Sequence, residues 1–162
     1  MTAVATDGVI HISTGVGAGP TELAAYDAAL AAVNVHDYNL VTVSSVIPPG
    51  ATVRQVDEIP PLGAAGGRLF VVEAVAIGAG DVPLAAVLGW TDRDGQGLFY
   101  EATGSDLPVV RERVDEGIAA GCRLRGWQVS PILRVEAVAP PTDEAVHAAV
   151  CIATYGGATP ML

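Results

Sequence analysis

Three places in the sequence put reactive side chains where chemistry can use them. The first is Asn39-Leu-Val-Thr-Val-Ser44-Ser45-Val-Ile-Pro-Pro-Gly50. Leu40, Val41, Thr42 and Val43 suit a half-buried strand, three of them being β-branched. Pro48 and Pro49 cannot donate to a sheet ladder and Gly50 permits a turn, so the strand ends there. The hydroxyls of Ser44 and Ser45 therefore stand where a strand gives way to a rigid bend. A bare serine pair in such a place ordinarily satisfies loose backbone groups. The second place is Asp27, four residues after Leu23 and three before Leu30, on the inward face of a helix. A carboxylate there is costly unless it meets a partner or a cationic ligand; the plain alternative is a rim carboxylate that still reaches water. The third is Glu101, beside Leu98, Phe99 and Tyr100. An apolar setting raises a carboxyl pKa toward that of a general acid at neutral pH; the alternative is an exposed strand carboxylate paired with an arginine.

Other chemistries are closed off. All eight basic residues are arginines, so no lysine can tether a pyridoxal cofactor. His11, His36 and His147 with Cys122 and Cys151 show no metal-ligand spacing, and no metal is expected. The two cysteines read as free, buried thiols. A net charge of −10 argues against nucleic acid and suits a cationic small-molecule partner. The first seven residues have neither a basic n-region nor an apolar h-region, and no apolar run is long enough to span a bilayer. A cytoplasmic protein with no membrane association is the expectation. With 51% hydrophobic and only 16% charged residues, part of the surface should be buried between subunits.

The elements that must position these groups can be read in order. A first strand spans 8–14, followed by Gly15-Val-Gly-Ala-Gly19. That run fails the dinucleotide fingerprint, because Pro20 stands where the third glycine would be, and reads as a flexible connection. A helix covers 21–34, capped by Thr21, with Leu23, Tyr26, Leu30 and Val33 facing inward. After the Ser-Ser strand, 51–61 is irregular; 68–77 is a strand, apolar throughout and buried on both faces. Strands at 84–91 and 97–103 flank a hairpin connection, and the second carries Glu101. Ser105 or Asp106 caps a second helix, with Pro108 in its first turn, an Arg111–Asp115 pair on its wet side and Gly121 at its end. Late strands cover 126–138 and 145–155, and the tail from 156 reads as loose. At 162 residues this is one domain, of α+β class, with mainly antiparallel sheets and helices segregated to the outside.

The pattern from Asn39 through Ser44-Ser45 to Pro48-Pro49 resembles the self-cleavage site of the pyruvoyl-dependent arginine decarboxylases. Pro20-Thr-Glu-Leu-Ala-Ala-Tyr-Asp27-Ala-Ala-Leu30 resembles that family's first helix, Leu98-Phe-Tyr-Glu101 its acidic strand, and Arg125-Gly126-Trp127 a later landmark. The spacings also fit, and the resemblance covers almost the whole chain. It implies a four-layer αββα sandwich. It also implies a pyruvoyl group made from Ser45, whose hydroxyl attacks the Ser44 carbonyl. Elimination then cuts the chain into 1–44 (β chain) and 45–162 (α chain). Asn39 matches the residue that assists this step, Glu101 the proton donor and Asp27 the residue that binds the substrate's guanidinium. The implied reaction is arginine to agmatine and CO2, in polyamine biosynthesis.

One departure bears on the substrate. The loop Asn34-Val-His36-Asp37-Tyr38 is bulkier than the small, glycine-containing loop expected of arginine-specific members, and His36 and Tyr38 border the expected substrate pocket. The same chemistry on another amino acid therefore stays open, as does an unprocessed homologue that only binds a small cation.

Asn39 and Ser45 have the same parity on one strand, yet at about 3.3 Å per residue they stand roughly 20 Å apart. If Asn39 assists cleavage, the bond it serves belongs to a neighbouring subunit, unless the strand folds back. The family's trimers fit such a ring of heterologous contacts. A homotrimer, or a hexamer built from it, with active sites between subunits is the expectation.

Overall fold

A computed structural model describes residues 8–162; residues 1–7, on which the expectation of no signal peptide rests, lie outside the described part. The elements run β1 (Val9–Gly19), α1 (Glu22–Ala32), β2 (Asn39–Thr42), β3 (Val46–Ile47), β4 (Thr52–Gln55), β5 (Arg68–Ala79), β6 (Leu84–Arg93), β7 (Gln96–Gly104), α2 (Leu107–Arg125), β8 (Leu133–Ala139) and β9 (Val146–Thr159). One sheet has the order β2-β5-β9-β1-β4 and the other β3-β7-β6-β8. The β1–β4 and β2–β5 pairs are parallel and all the others antiparallel.

Period-2 alternation along the strands builds three apolar layers. Ile10, Ile12, Val72 and Ala74 of the first sheet meet Leu88, Trp90 and Phe99 of the second. On its outer face the first sheet packs Leu69, Val71, Val150 and Ile152 against Ala25, Ala29, Leu30 and Val33 of the α1 segment. The second sheet packs Val87 and Leu98 against Val110, Val114 and Ile118 of α2. The result is the αββα sandwich that the resemblance implied. Each large side chain buried this way contributes about 1.5–3 kcal/mol.

Several boundaries differ from the sequence reading, each for a physical reason. The glycine run is no loose connection but the second half of β1. A Cβ on Gly17 would lie 2.2 Å from the Ala29 nitrogen, so these glycines let α1 sit directly on the sheet. Because α1 docks through its alanines, Leu23 is not inward but 75% exposed. Residues 52–55 are not irregular: they form β4, beside β1. Helix α2 runs past Gly121 to Arg125, and Gly126, at φ 69°, caps it. Arg111 and Asp115 do not pair with each other. Each reaches across to β8, Arg111 to Glu136 and Arg134 to Asp115. β8 begins at Leu133, well after Gly126, and β9 continues to Thr159, so the tail is ordered further than expected. Asp106 and Thr21 cap the two helices as expected. Cys122 and Cys151 are free and buried, and burial pushes the Cys151 thiol up to about 12.

Candidate functional site

The Ser-Ser segment does not continue one strand into the prolines. β2 ends at Thr42, and the two-residue β3 belongs to the opposite sheet. The Ser44–Ser45 peptide is the crossing between them. Before it, the Val43 N–H donates to the Val71 carbonyl at 2.9 Å, on the first sheet. After it, the Ser45 carbonyl accepts from the Phe99 N–H at 2.7 Å, on the second. The Tyr155 hydroxyl donates to the Val46 carbonyl at 2.9 Å. The chain crosses because the side chains on both sides of the serines bury in the same middle layer, Val43 against it and Ile47 within it. Among the described residues, the Ser44 carbonyl and the Ser45 N–H take part in no backbone hydrogen bond. The peptide is thus anchored on either side and free in between. Backbone strain of the positive-φ kind is absent from it: among described non-glycine residues only Asn34 and Asp94 have positive φ.

Glu101 follows the stretch of β7 that β3 covers, three residues beyond Leu98, and lines a separate cleft with Arg113, Glu116 and Gly117 of α2. β3 pairs Val46 with Leu98 and Ile47 with Gly97, antiparallel. Beyond the Ser45 carbonyl this pairing ends, because Val43 is held on the first sheet by Val71. Leu98 points to α2 and Phe99 to the middle layer; Glu101 shares the parity of Phe99. It lies where β3 no longer covers the edge of β7 and is exposed in the single chain. Partial loss of solvation still raises its carboxyl above the ordinary range, offset in part by its own backbone N–H. Among the described residues no arginine pairs with it.

The other expected residues gather elsewhere. A cleft of about 690 Å³ opens between α1 and the outer face of the first sheet, at the β2 edge. Asp27, His36, Tyr38 and Asn39 line it, while Ser44, Ser45 and Glu101 do not. Asp27 is exposed to this cleft rather than buried under the helix. The Tyr38 hydroxyl accepts from the Leu62 N–H at 3.0 Å and donates to the Gly63 carbonyl at 3.4 Å, which fixes the cleft wall. His36 lies on the rim, 3.8 Å from Asp37. The Asn39 amide donates to the Gly66 carbonyl at 2.8 Å, so within one chain it serves the turn before β5 and not the Ser44 carbonyl.

Two cleft residues escaped the sequence reading. Glu73 interrupts a strand that had been read as apolar throughout, and Tyr26, read as a core residue, donates its hydroxyl to Glu73 at 2.8 Å. The signal was present: one carboxylate in the middle of an apolar run must find a partner or a ligand. Among the described residues no cluster of His, Cys, Asp and Glu could hold a metal.

Comparison with known proteins finds relatives over most of the chain. The family model described as pyruvoyl-dependent arginine decarboxylase matches residues 9–159. A protein of Halobacterium salinarum, named pyruvoyl-dependent arginine decarboxylase, is 52% identical over 155 residues, covering 94% of this chain and 96% of its own. Proteins of the same name from Methanopyrus kandleri and Pyrococcus furiosus are 33% and 30% identical, over 89% and 85% of this chain and 93% and 88% of theirs.

Proposed function

Because the chain belongs to the pyruvoyl-dependent arginine decarboxylase family, we propose that it cuts itself between Ser44 and Ser45 and converts arginine to agmatine and CO2. The observation that carries this reading is the Ser44–Ser45 peptide, held at both ends by different sheets and, among the described residues, free of backbone hydrogen bonds of its own. The Ser45 hydroxyl attacks the Ser44 carbonyl and turns the amide into an ester. Elimination releases residues 1–44 with Ser44 as a carboxylate, and water removes the remaining nitrogen as ammonia. The Ser45 carbons are left as a pyruvoyl group at the start of 45–162. The residues present fit that group: the Ser45 carbonyl is already fixed by the Phe99 N–H, and the exposed β7 edge leaves room beside it. The ketone supplies the electron sink that losing CO2 from an amino acid requires.

The chain's own groups do the rest. Asp27 binds the guanidinium through a planar, bidentate pair. His36 and Tyr38 border the pocket. Glu101, in its acid form, returns a proton to the α-carbon; its raised carboxyl suits that task. Asn39 assists cleavage as an oxyanion donor. We place the enzyme in the cytoplasm; no helix of the described residues is long and apolar enough to cross a membrane.

The proposal extends to assembly. Asp27 and Asn39 line a cleft on the outer face of the first sheet, whereas the Ser45 carbonyl and Glu101 belong to the second sheet. A complete site therefore draws Asp27 and Asn39 from one subunit and Ser45 from another, in a homotrimer or a hexamer built from it. Val41, Val46 and Phe70, exposed by 37%, 44% and 39% near the crossing, offer apolar surface for that contact. Co-expression of Asn39→Ala/Asp27→Asn chains with Ser45→Ala chains, each inactive alone, should restore part of the cleavage and turnover. Mixed assemblies that restore neither would place the whole site within one chain.

A further inference from the structure

β5 turns Leu69, Val71, Val75 and Ile77 toward α1, and Glu73 breaks this apolar row at its centre. The residue is half-buried, and burial pushes its carboxyl up, while the hydrogen bond from Tyr26 lowers it in part. Burial raises the Tyr26 phenol first, and the Glu73 acceptor adds to that rise. An ionised carboxylate has about four acceptor positions; the Tyr26 hydroxyl fills one of them. Glu73 also lines the cleft that contains Asp27, and no arginine is among the lining residues. The half-buried Glu73 and the exposed Asp27 thus line one cleft whose basic lining is limited to the His36 imidazole on its rim, which favours a cationic ligand. A guanidinium presents five N–H donors in a plane, and a bidentate pair with one carboxylate leaves a further edge unbonded.

We propose that Glu73 is a specificity-determining residue that accepts from the second edge of the substrate's guanidinium, with Asp27 on the first and Tyr26 positioning the Glu73 carboxylate. This rests on the arginine decarboxylase reading above. The competing role is mechanical: the Tyr26–Glu73 bond ties α1 to β5 and never meets substrate. Glu73→Gln separates the two, because glutamine keeps the volume and still accepts from Tyr26 while the charge is gone.

The test uses cleaved wild-type enzyme, Glu73→Gln and Tyr26→Phe. Glu73→Gln should raise the KM for arginine and the Kd for agmatine by about tenfold or more, since a charge-assisted bond is lost. Its kcat, its extent of cleavage and its Tm should stay near wild type. Tyr26→Phe should shift the same constants in the same direction, by less. Citrulline, the uncharged urea analogue of arginine, should lose no affinity, competing at least as well against Glu73→Gln as against wild type, because glutamine can accept from its N–H groups or donate to its oxygen. Unchanged KM and Kd in Glu73→Gln would overturn the proposal, as would an equal loss of citrulline binding, which marks a collapsed cleft. Cleaved wild type that fails to decarboxylate arginine would instead overturn the functional reading on which it rests.

Discussion

Ser45→Ala is expected to yield a single uncut chain with no decarboxylase activity. The proposed attack needs the Ser45 oxygen, and the same side chain supplies the carbons of the catalytic ketone, so one substitution removes both. A methyl group can neither attack the Ser44 carbonyl nor become a ketone. The anchors around the bond use the Val43 N–H and the Ser45 carbonyl, which alanine retains. The segment should therefore keep its path, and Tm should change little, as for a surface substitution. Denaturing electrophoresis, melting and an arginine turnover assay together check this. Normal cleavage in the variant would end the pyruvoyl account; an unfolded variant would show as a fallen Tm and could not be mistaken for it.

Glu101→Gln should cleave normally and then turn over about 10²–10⁴-fold more slowly, the usual contribution of a positioned acid. Glutamine preserves the side-chain shape on β7 but cannot donate a proton. The pH dependence has a definite sign. Loss of solvation raises the Glu101 carboxyl, and the protonated form is the donor, so wild-type kcat should fall as pH rises through that raised pKa. In Glu101→Gln this basic limb should vanish, leaving a lower and flatter profile. A variant that fails to cleave, yet is fully active once cleaved by other means, would reverse the role assigned to Glu101.

The sequence made some parts of the site legible and hid others, for reasons visible in particular residues. Both helices and the long strands follow from alternation, caps and turns, while β4 lies in a stretch that reads as irregular; Thr21, Asp106 and the Asp94-Gly95 turn fall where local chemistry puts them. The four layers and the roles of Ser45, Glu101 and Asp27 came from resemblance, since period-2 patterns do not tell which sheet a strand joins. β2 and β3 show this. They look like one strand in sequence, yet they belong to opposite sheets, because Val43 and Ile47 both find burial in the layer between. Leu23 and Gly15–Gly19 were misread together. Helical periodicity made Leu23 a core residue, but the missing β-carbons of β1 draw α1 down through Ala25 and Ala29 and leave Leu23 at the mouth of the cleft. Glu73 was hidden by its neighbours, the eight apolar residues of 69–77 around one carboxylate. Its partner Tyr26 lies 47 positions away, which no local pattern links to it.

The central claim is that this chain makes its own carbonyl at Ser45. The most direct measurement is the intact mass of the purified protein under denaturing conditions, before and after reaction with a carbonyl-specific hydrazide. The account predicts two chains, 1–44 and 45–162, with the hydrazide attached only to the second, at its first residue. A single chain of 162 residues that takes up no label would contradict it.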